Sequence, residues 1–331
     1  MASMKRRGLV TLAGIAVAAL ALTGCSNGNS ATEEAPEKGS TAEFPVTVTD
    51  MAGNEVTIES ADSVIVTDNR LFQLVSDWGI ELSAAPRALM SPNNPMVKDE
   101  AILDLGTHRE PDFEKVVAAD PDLIINGYRY GGYEEDLQKA APEAAIVVMD
   151  NEELSTDEYL VQSTELLGEI FGKQDEAKAV VDNLHKAVKE AKDAYDPKVS
   201  VMGLVTSGNE IRYSSPVDGR GASVFFSLLE LTPALDAEGS ANHQGDDISI
   251  EAIAEANADF FLVLDRDAAF ADTQEVTPAL ELIKGSASLA TVPAVVNDAI
   301  YVMPGDFYLT EDIVTYTTVL NELTASFKSL K

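Results

Sequence analysis

Arginine is the residue type whose placement in this chain could do chemistry. Only seven arginines follow residue 24. Four of them stand where a strand or helix would present them: Arg70 after Thr67-Asp68-Asn69, Arg129 beyond Leu123–Ile125, Arg220 between Gly219 and Gly221, and Arg266 beyond Phe260–Leu264. A guanidinium keeps its charge and offers a planar fork of donors, so it suits carboxylate, phosphate or catecholate oxygens. Taken singly, each could as well serve a surface ion pair. Two of them, however, are related by an internal repeat. Phe113–Ile125 matches Ile250–Leu262 at a constant offset of 137 residues (114 to 251, 122 to 259, 129 to 266). Glu114 falls on Glu251, Asp122 on Asp259 and Arg129 on Arg266, with the apolar positions in step. In open α/β sheets ligands bind beyond the carboxyl ends of the strands. Arg129 and Arg266 are therefore expected to face one cleft between two lobes of like construction.

Composition narrows the classes. The 331 residues carry 23 Lys plus Arg against 56 Asp plus Glu, a formal charge of −33, and 45% hydrophobic residues. That apolar share can bury a core, and the length suits two lobes. A nucleic-acid partner is excluded, since phosphate binding needs a basic surface. One Cys excludes a disulfide framework and a Cys-based zinc cluster, and three scattered His offer no multi-His metal site. The sequence has no Gly-x-Ser-x-Gly elbow, no His-Glu-x-x-His and no P-loop. Binding rather than catalysis is expected. The alternatives of another class are an extracellular hydrolase and a structural surface lipoprotein.

The elements that must position these residues begin with an address. Lys5, Arg6 and Arg7 precede an apolar run from Gly8 to Leu22. That run is short for a membrane span and fits a signal segment. Leu22-Thr-Gly-Cys25 resembles a bacterial lipobox, so residues 1–24 are expected to be cleaved and Cys25 acylated. Cleavage would remove three basic residues and no acid, leaving 20 against 56, or −36. Residues 25–44 read as a polar, flexible tether. Val46–Thr49 and Glu55–Ile58 flank a Gly-Asn turn and read as a hairpin. Ser63–Val66, Leu123–Ile125 and Ala145–Val148 are strand candidates of an N-terminal lobe, 45–154. Val199–Val205, Phe260–Leu264 and Ala299–Met303 belong to a C-terminal lobe, 198–331. Continuous apolar runs between helices indicate mainly parallel sheets covered on both faces, an α/β fold with Rossmann-like lobes. Connecting helices fill 155–197. Ser155 and Glu158 form a capping box, and Gly172 stops the first helix. The second, Lys173 to Tyr195, carries an apolar stripe of Ala177, Val180, Val181, Leu184, Val188 and Ala191, and Pro197 ends it. At about 1.5 Å per residue it is long enough to bridge two lobes. His185 falls on its polar flank as a solvated residue.

The lipobox, Thr47–Ile58, Gly106-Thr-His-Arg-Glu-Pro-Asp-Phe-Glu114, Asp120–Ile125 and Asp265-Arg266 carry a resemblance. From about residue 45 onward the chain resembles the substrate-binding lipoproteins of bacterial iron–siderophore ABC transporters, above all the catecholate and petrobactin-type binders. The resemblance implies two α/β lobes on one rigid connecting helix, the class III arrangement, with a ferric siderophore as transported ligand and no intrinsic cofactor. It implies that Arg129, Arg220 and Arg266 grip the anionic complex; Arg70, by its place after a strand, is expected to join them. It implies that His243 and Tyr308 complete the coordination of ferric iron where the siderophore supplies too few oxygens. Where family members often carry a Tyr-Trp pair, this chain has Phe307-Tyr308. Glu114 and Glu251 would dock one lobe each on a permease dimer. The protein is then expected to be a monomer, held at the outer face of the cell membrane through Cys25 alone. Within the same fold, haem or a corrinoid is the alternative ligand, held by an axial side chain in an apolar slot.

Overall fold

Alternation and a Gly-Asn turn do set the first strand pair. β1 (Val46–Thr49) and β2 (Glu55–Ile58) run antiparallel with Val46 opposite Ile58, and Gly53 takes the turn at φ +87°. The computed structural model describes residues 39–235, 237–271 and 275–330. The expected signal segment, Cys25 and the tether up to residue 38 lie outside the described residues. The rest of the expected tether is fixed in place. Gly39 N–H donates to the Trp78 carbonyl (2.8 Å) and Thr41 N–H to that of Phe171 (3.0 Å). The folded unit thus begins by Gly39 rather than at 45, because backbone groups there find buried partners.

In the N-terminal lobe, β3 (Val64–Val66), α1 (Phe72–Asp77), β4 (Ala84–Ala85), β5 (Leu103–Asp104), β6 (Gly106–Thr107) and β7 (Glu110–Pro111) lead to α2 (Phe113–Ala119). Then come β8 (Leu123–Asn126), α3 (Glu134–Ala140) and β9 (Ala145–Val148). The sheet runs β5-β4-β3-β8-β9 with every pair parallel. The strand order reverses direction between β3 and β8, so the crevice of a doubly wound sheet opens at their carboxyl ends.

Two helices follow. α4 (Thr156–Phe171) starts at the expected capping box, with Ser155 N–H donating to Glu158 Oε2 (2.9 Å), and stops at Gly172 in the left-handed region. α5 (Gln174–Ala194) is the bridging helix. Its start lies beside Gly172, whose carbonyl accepts from Thr41 Oγ1 (2.7 Å). The residue after its end, Tyr195, accepts at its hydroxyl from Thr232 N–H of the C-terminal lobe (2.8 Å). Ala177, Val181, Leu184, Ala187, Ala191 and Ala194 form its buried stripe. Val180 and Val188, expected there, are only half-buried at its margin. His185 is exposed.

The C-terminal lobe contains β10 (Ser200–Ser207), β11 (Glu210–Ser214), α6 (Ser223–Leu229), β12 (Thr232–Pro233), α7 (Ile250–Glu255), β13 (Phe260–Asp265), α8 (Ala279–Gly285), α9 (Pro293–Val296), β14 (Ile300–Val302), α10 (Phe307–Thr310) and α11 (Ile313–Ser329). Its sheet runs β11-β10-β13-β14. Here β10, β13 and β14 are parallel, β11 is an antiparallel edge, and β12 pairs with the start of β10. One apolar cluster takes Val64 and Val66 of β3, Leu184 and Ala191 of α5, Leu262 and Leu264 of β13 and Leu320 of α11. Ile65 and Phe261, on the opposite faces of their strands, join separate clusters of each lobe. The alternation shows sheets buried on both faces, and the shared cluster makes the connecting layer one core with both lobes.

The repeat is a structural one. Ser63 N–H donates to Asp122 Oδ2 (3.0 Å) and Ser200 N–H to Asp259 Oδ2 (2.9 Å), each across 59 residues. Asp112 and Ser249 cap α2 and α7. Asp120 and Asn257, just past these helices, both adopt positive φ (44° and 51°). Each of these pairs keeps the 137-residue offset of Glu114 and Glu251.

Candidate ligand-binding cleft

Three of the four nominated arginines converge on one ring. The guanidinium carbon of Arg220 lies 4.5 Å from the centroid of Tyr308, that of Arg266 5.0 Å and that of Arg129 5.3 Å. Arg129 comes from the loop after β8, Arg266 from the residue after β13, and Arg220 from the loop between β11 and α6. That loop is fixed by Ser214 Oγ, which donates to the Arg220 carbonyl (3.0 Å), and by Gly221 at φ +82° against Leu264. Tyr308 sits on α10 and is 4% exposed. Its hydroxyl makes no hydrogen bond among the described residues. Phe270 (5.8 Å) and His243 (6.5 Å) are its ring neighbours. The sequence-derived group of Arg129, Arg220, Arg266, His243 and Tyr308 is therefore one constellation, drawn from both lobes.

Spare donor capacity differs among the three. Arg129 Nη2 donates to the Tyr308 carbonyl (3.3 Å), and Arg266 Nη1 to Ser207 Oγ (3.3 Å). The Nε atoms of both are buried without a partner. Arg220 is instead engaged by Glu311. Its Nε donates to Oε1 (3.0 Å) and a terminal nitrogen to Oε2, while that nitrogen also donates to the Tyr128 hydroxyl (2.8 Å). Tyr128 in turn donates to Glu311 Oε2 (3.0 Å). Burial, and then the Glu311 carboxylate, push the Tyr128 hydroxyl well above its ordinary pKa, so it stays a donor.

Arg70 stands apart from the constellation. Its Nε and Nη2 donate to Asp68 Oδ1 (3.0 Å) and Oδ2 (2.7 Å), and Nη2 also reaches Asp150 (3.2 Å). The guanidinium is held between the rings of Tyr159 (3.6 Å) and Tyr128 (4.3 Å). The expected ligand fork is thus already filled by the buried acid two residues earlier, and Arg70 supports Tyr128 rather than the Tyr308 cluster.

The two cleft histidines come from opposite lobes. His243 is exposed on the loop after β12. Partial burial, then Arg266, Arg220, Arg129 and Arg109, lower its pKa. His108, in the turn between β6 and β7, is lowered by burial and then by Arg129 and Arg109, and its Nδ1 is buried without a partner. Both shifts favour the neutral imidazole. Among the described residues no group of three or more His, Cys, Asp or Glu is arranged to hold a metal ion. The cleft can offer scattered single ligands to a metal that arrives with its own.

The seam between the lobes is polar and passes through 304–312. Asn69 Nδ2 donates to the Leu309 carbonyl (2.6 Å), and Ser91 Oγ (2.5 Å) and Asn93 Nδ2 (3.1 Å) to Asp306. Beside it lies a cavity of about 620 Å³, reaching from Tyr128 and Glu311 to Asp150 and Tyr159. Sequence reasoning passed over Tyr128, Glu311, His108 and Arg109. Tyr128 had a signal in its adjacency to Arg129, and His108-Arg109 in their short turn. Glu311, in Thr310-Glu-Asp312, reads like any acid before a helix.

Two lobes with doubly wound sheets, one bridging helix and a cleft at the strand ends define a solute-binding protein. The chain matches the periplasmic binding protein family over residues 64–307 and belongs to it. Among curated relatives it is 26% identical over 284 residues to the petrobactin-binding protein YclQ of Bacillus subtilis (strain 168), which covers 84% of this chain and 86% of that one. It is 32% identical over 169 residues to the ferric-anguibactin-binding protein FatB of Vibrio anguillarum, covering 50% and 52%. Among solved structures, the siderophore-binding protein BauB, bound to two acinetobactin molecules and ferric iron, superposes with a TM-score of 0.73. That match has 21% identity and covers 86% of this chain and 99% of that one.

Proposed function

We propose that this protein captures a ferric siderophore, of catecholate type, at the outer face of the cell membrane and delivers it to an ABC permease. The convergence of Arg129, Arg220 and Arg266 from two lobes on the Tyr308 ring carries this reading. Fixed, partly dehydrated positive charges with unpaired donors suit the crowded oxygens of a catecholate complex. The ligands named for YclQ, FatB and BauB support the same class. His243 and Tyr308 are the residues we assign to open positions on the iron, imidazole and phenolate both being suitable ligands. The haem or corrinoid alternative asks for an apolar slot, whereas guanidinium groups cover this ring.

Capture is not catalysis in this reading, and the iron is cargo. The loaded protein would dock through Glu114 and Glu251, both exposed in the first turns of α2 and α7. Exposed ion pairs are individually weak, so these acids serve register more than affinity. Residues 1–24 would be the lipoprotein signal and Cys25 the anchor. Among the described residues no helix is long and apolar enough to cross a membrane.

The test is a titration with ferric catecholates, ferric hydroxamates and haem in parallel, on the parent and on Arg129→Ala with Arg266→Ala. Saturable binding of catecholates by the parent, lost in the double variant, is expected. Undiminished catecholate binding by the double variant would sink the cleft assignment, and binding of haem alone would sink the ligand class.

A further inference from the structure

We propose that Asp246 is a positioning residue for His243, latching the loop that presents this imidazole to the iron of a bound complex; the inference rests on the coordination reading above. Asp246 has a fixed base on the edge strand of the C-terminal sheet. Its N–H donates to the Tyr213 carbonyl (2.8 Å), and its own carbonyl accepts from Tyr213 N–H (3.0 Å). From there the carboxylate reaches back across the turn. Oδ2 accepts from Ser240 N–H (2.9 Å) and Oδ1 from the Ser240 hydroxyl (2.6 Å). Bonds to an ionised acceptor are the stronger kind. The near arm of the loop lies close against this carboxylate. A Cβ on Gly239 would sit 2.8 Å from Asp246 Oδ2 and 2.3 Å from Ser215 Cβ, so only glycine fits that approach.

The tip is built on the closed ring. Ser240 Oγ accepts from Asn242 N–H (3.2 Å), Asn242 Oδ1 from Gln244 N–H (3.1 Å), and the Asn242 carbonyl from Gly245 N–H (2.9 Å). His243 stands at that tip, its ring 6.5 Å from the Tyr308 ring. Its imidazole makes no hydrogen bond among the described residues. Ala241, Asn242, His243 and Gln244 are all exposed, so buried apolar area does not order them. Order at His243 therefore comes from the loop's own polar ring, and Asp246 is its anchor. A segment that must be ordered only when ligand arrives costs affinity, and a latch set beforehand removes that cost. The benefit goes to complexes whose chelator leaves iron positions open. A complex with every position filled takes nothing from the imidazole.

Two probes test this on the whole protein by calorimetry and by the catecholate-to-iron charge-transfer band: the ferric complex of a tetradentate bis-catechol and that of a hexadentate tris-catechol. Asp246→Ala is expected to weaken the bis-catecholate about tenfold and to move its bound band toward that seen with His243→Ala, with tris-catecholate affinity changed by less than about twofold. Adding Asp246→Ala to His243→Ala should then weaken the bis-catecholate no further, because both act through one contact. Equal weakening of both probes by Asp246→Ala would mean a merely structural role and overturn the inference. So would full bis-catecholate affinity in Asp246→Ala where His243→Ala has lost it. Ser240→Ala removes one of the two latch bonds and keeps the other. If Asp246→Ala fails to fold, an unchanged bis-catecholate affinity in Ser240→Ala overturns the inference instead. A His243→Ala protein that binds the bis-catecholate like the parent would overturn the coordination reading itself, and the inference with it.

Discussion

Tyr128 and Glu311, on opposite lobes, both take left-handed backbone (φ +52° and +41°), and the Tyr128 hydroxyl donates to the Glu311 carboxylate across the seam at 3.0 Å. Neither residue type favours that region, and each such conformation costs on the order of 1–3 kcal/mol. Surrounding bonds impose it. Tyr128 N–H donates to both oxygens of Asp150 (2.8 and 2.8 Å), and Glu311 N–H to the Phe307 carbonyl (3.0 Å). The seam is thus held by backbone fixed on both of its sides, Glu311 being the left-handed cap of α10.

Tyr128→Phe removes only the hydroxyl that links the lobes. Because its acceptor is a charged group, a loss of about 1.5–3 kcal/mol is expected, seen as a lower unfolding temperature. The positive φ and the ring stacked on Arg70 remain in the variant. A variant as stable as the parent would mean that the cross-lobe bond contributes nothing.

Gly127 positions Tyr128 and Arg129 by its lack of a side chain. A Cβ there would lie 2.6 Å from Asp68 Oδ2 and 3.0 Å from Met149 Cβ. Asp68 is fully buried and holds Arg70 and the Tyr159 hydroxyl (2.9 Å), so it has little room to give. Gly127→Ala is expected to cost about 1–3 kcal/mol in stability and to weaken ligand binding through Arg129. Gly132→Ala, where a Cβ meets nothing within 4 Å, is the comparison and is expected to cost much less. Equal unfolding temperatures for the two variants would refute the steric argument.

The cleft charges act on His243 in a definite direction. Partial burial and then Arg266, Arg220, Arg129 and Arg109 favour its neutral form. Arg266→Ala should therefore raise the His243 pKa, moving its midpoint to higher pH in an NMR titration of the ligand-free protein. A His243 midpoint unchanged by the substitution would mean that Arg266 does not face it.

Much of this architecture was written in local patterns. The continuous apolar runs at Val64–Val66, Leu123–Asn126 and Phe260–Asp265 became central strands because only a parallel sheet covered on both faces buries every residue of such a run. Ser155, Glu158 and Gly172 fixed α4 through capping geometry that operates within a few residues. The repeat located Arg129 and Arg266 because equal helix–strand units place equal positions at equal strand ends. What stayed hidden depended on contacts distant in sequence. Glu311 and Arg220 are 91 residues apart, and Tyr128 and Glu311 183 apart. No local spacing could announce them. The pairing of Arg70 is local, since its partner Asp68 lies two residues away, but a strand-end position alone does not announce it. β4, β5 and β12, of two residues each, carry too few side chains to show any period.

Asp312 gives the last prediction, one about pH and stability. It caps α11 by accepting from Thr315 N–H (2.7 Å), yet its other oxygen is buried without a partner. Burial pushes the carboxyl up to about 6, the Thr315 bond offsetting only part of that. A carboxyl with a folded pKa above its unfolded value near 3.9 favours the folded state when protonated. Its contribution is fully present below about pH 4 and is lost as pH rises through about 6. Asp312→Asn keeps an oxygen for the cap and cannot ionise, so it escapes that loss. The variant should therefore gain about 1–3 kcal/mol on the parent between pH 4 and pH 7, the remaining carboxylates cancelling in the comparison. Denaturant unfolding of both proteins at the two pH values measures this difference. A stability difference that is the same at pH 4 and pH 7 would mean that Asp312 titrates alike in the folded and unfolded chains.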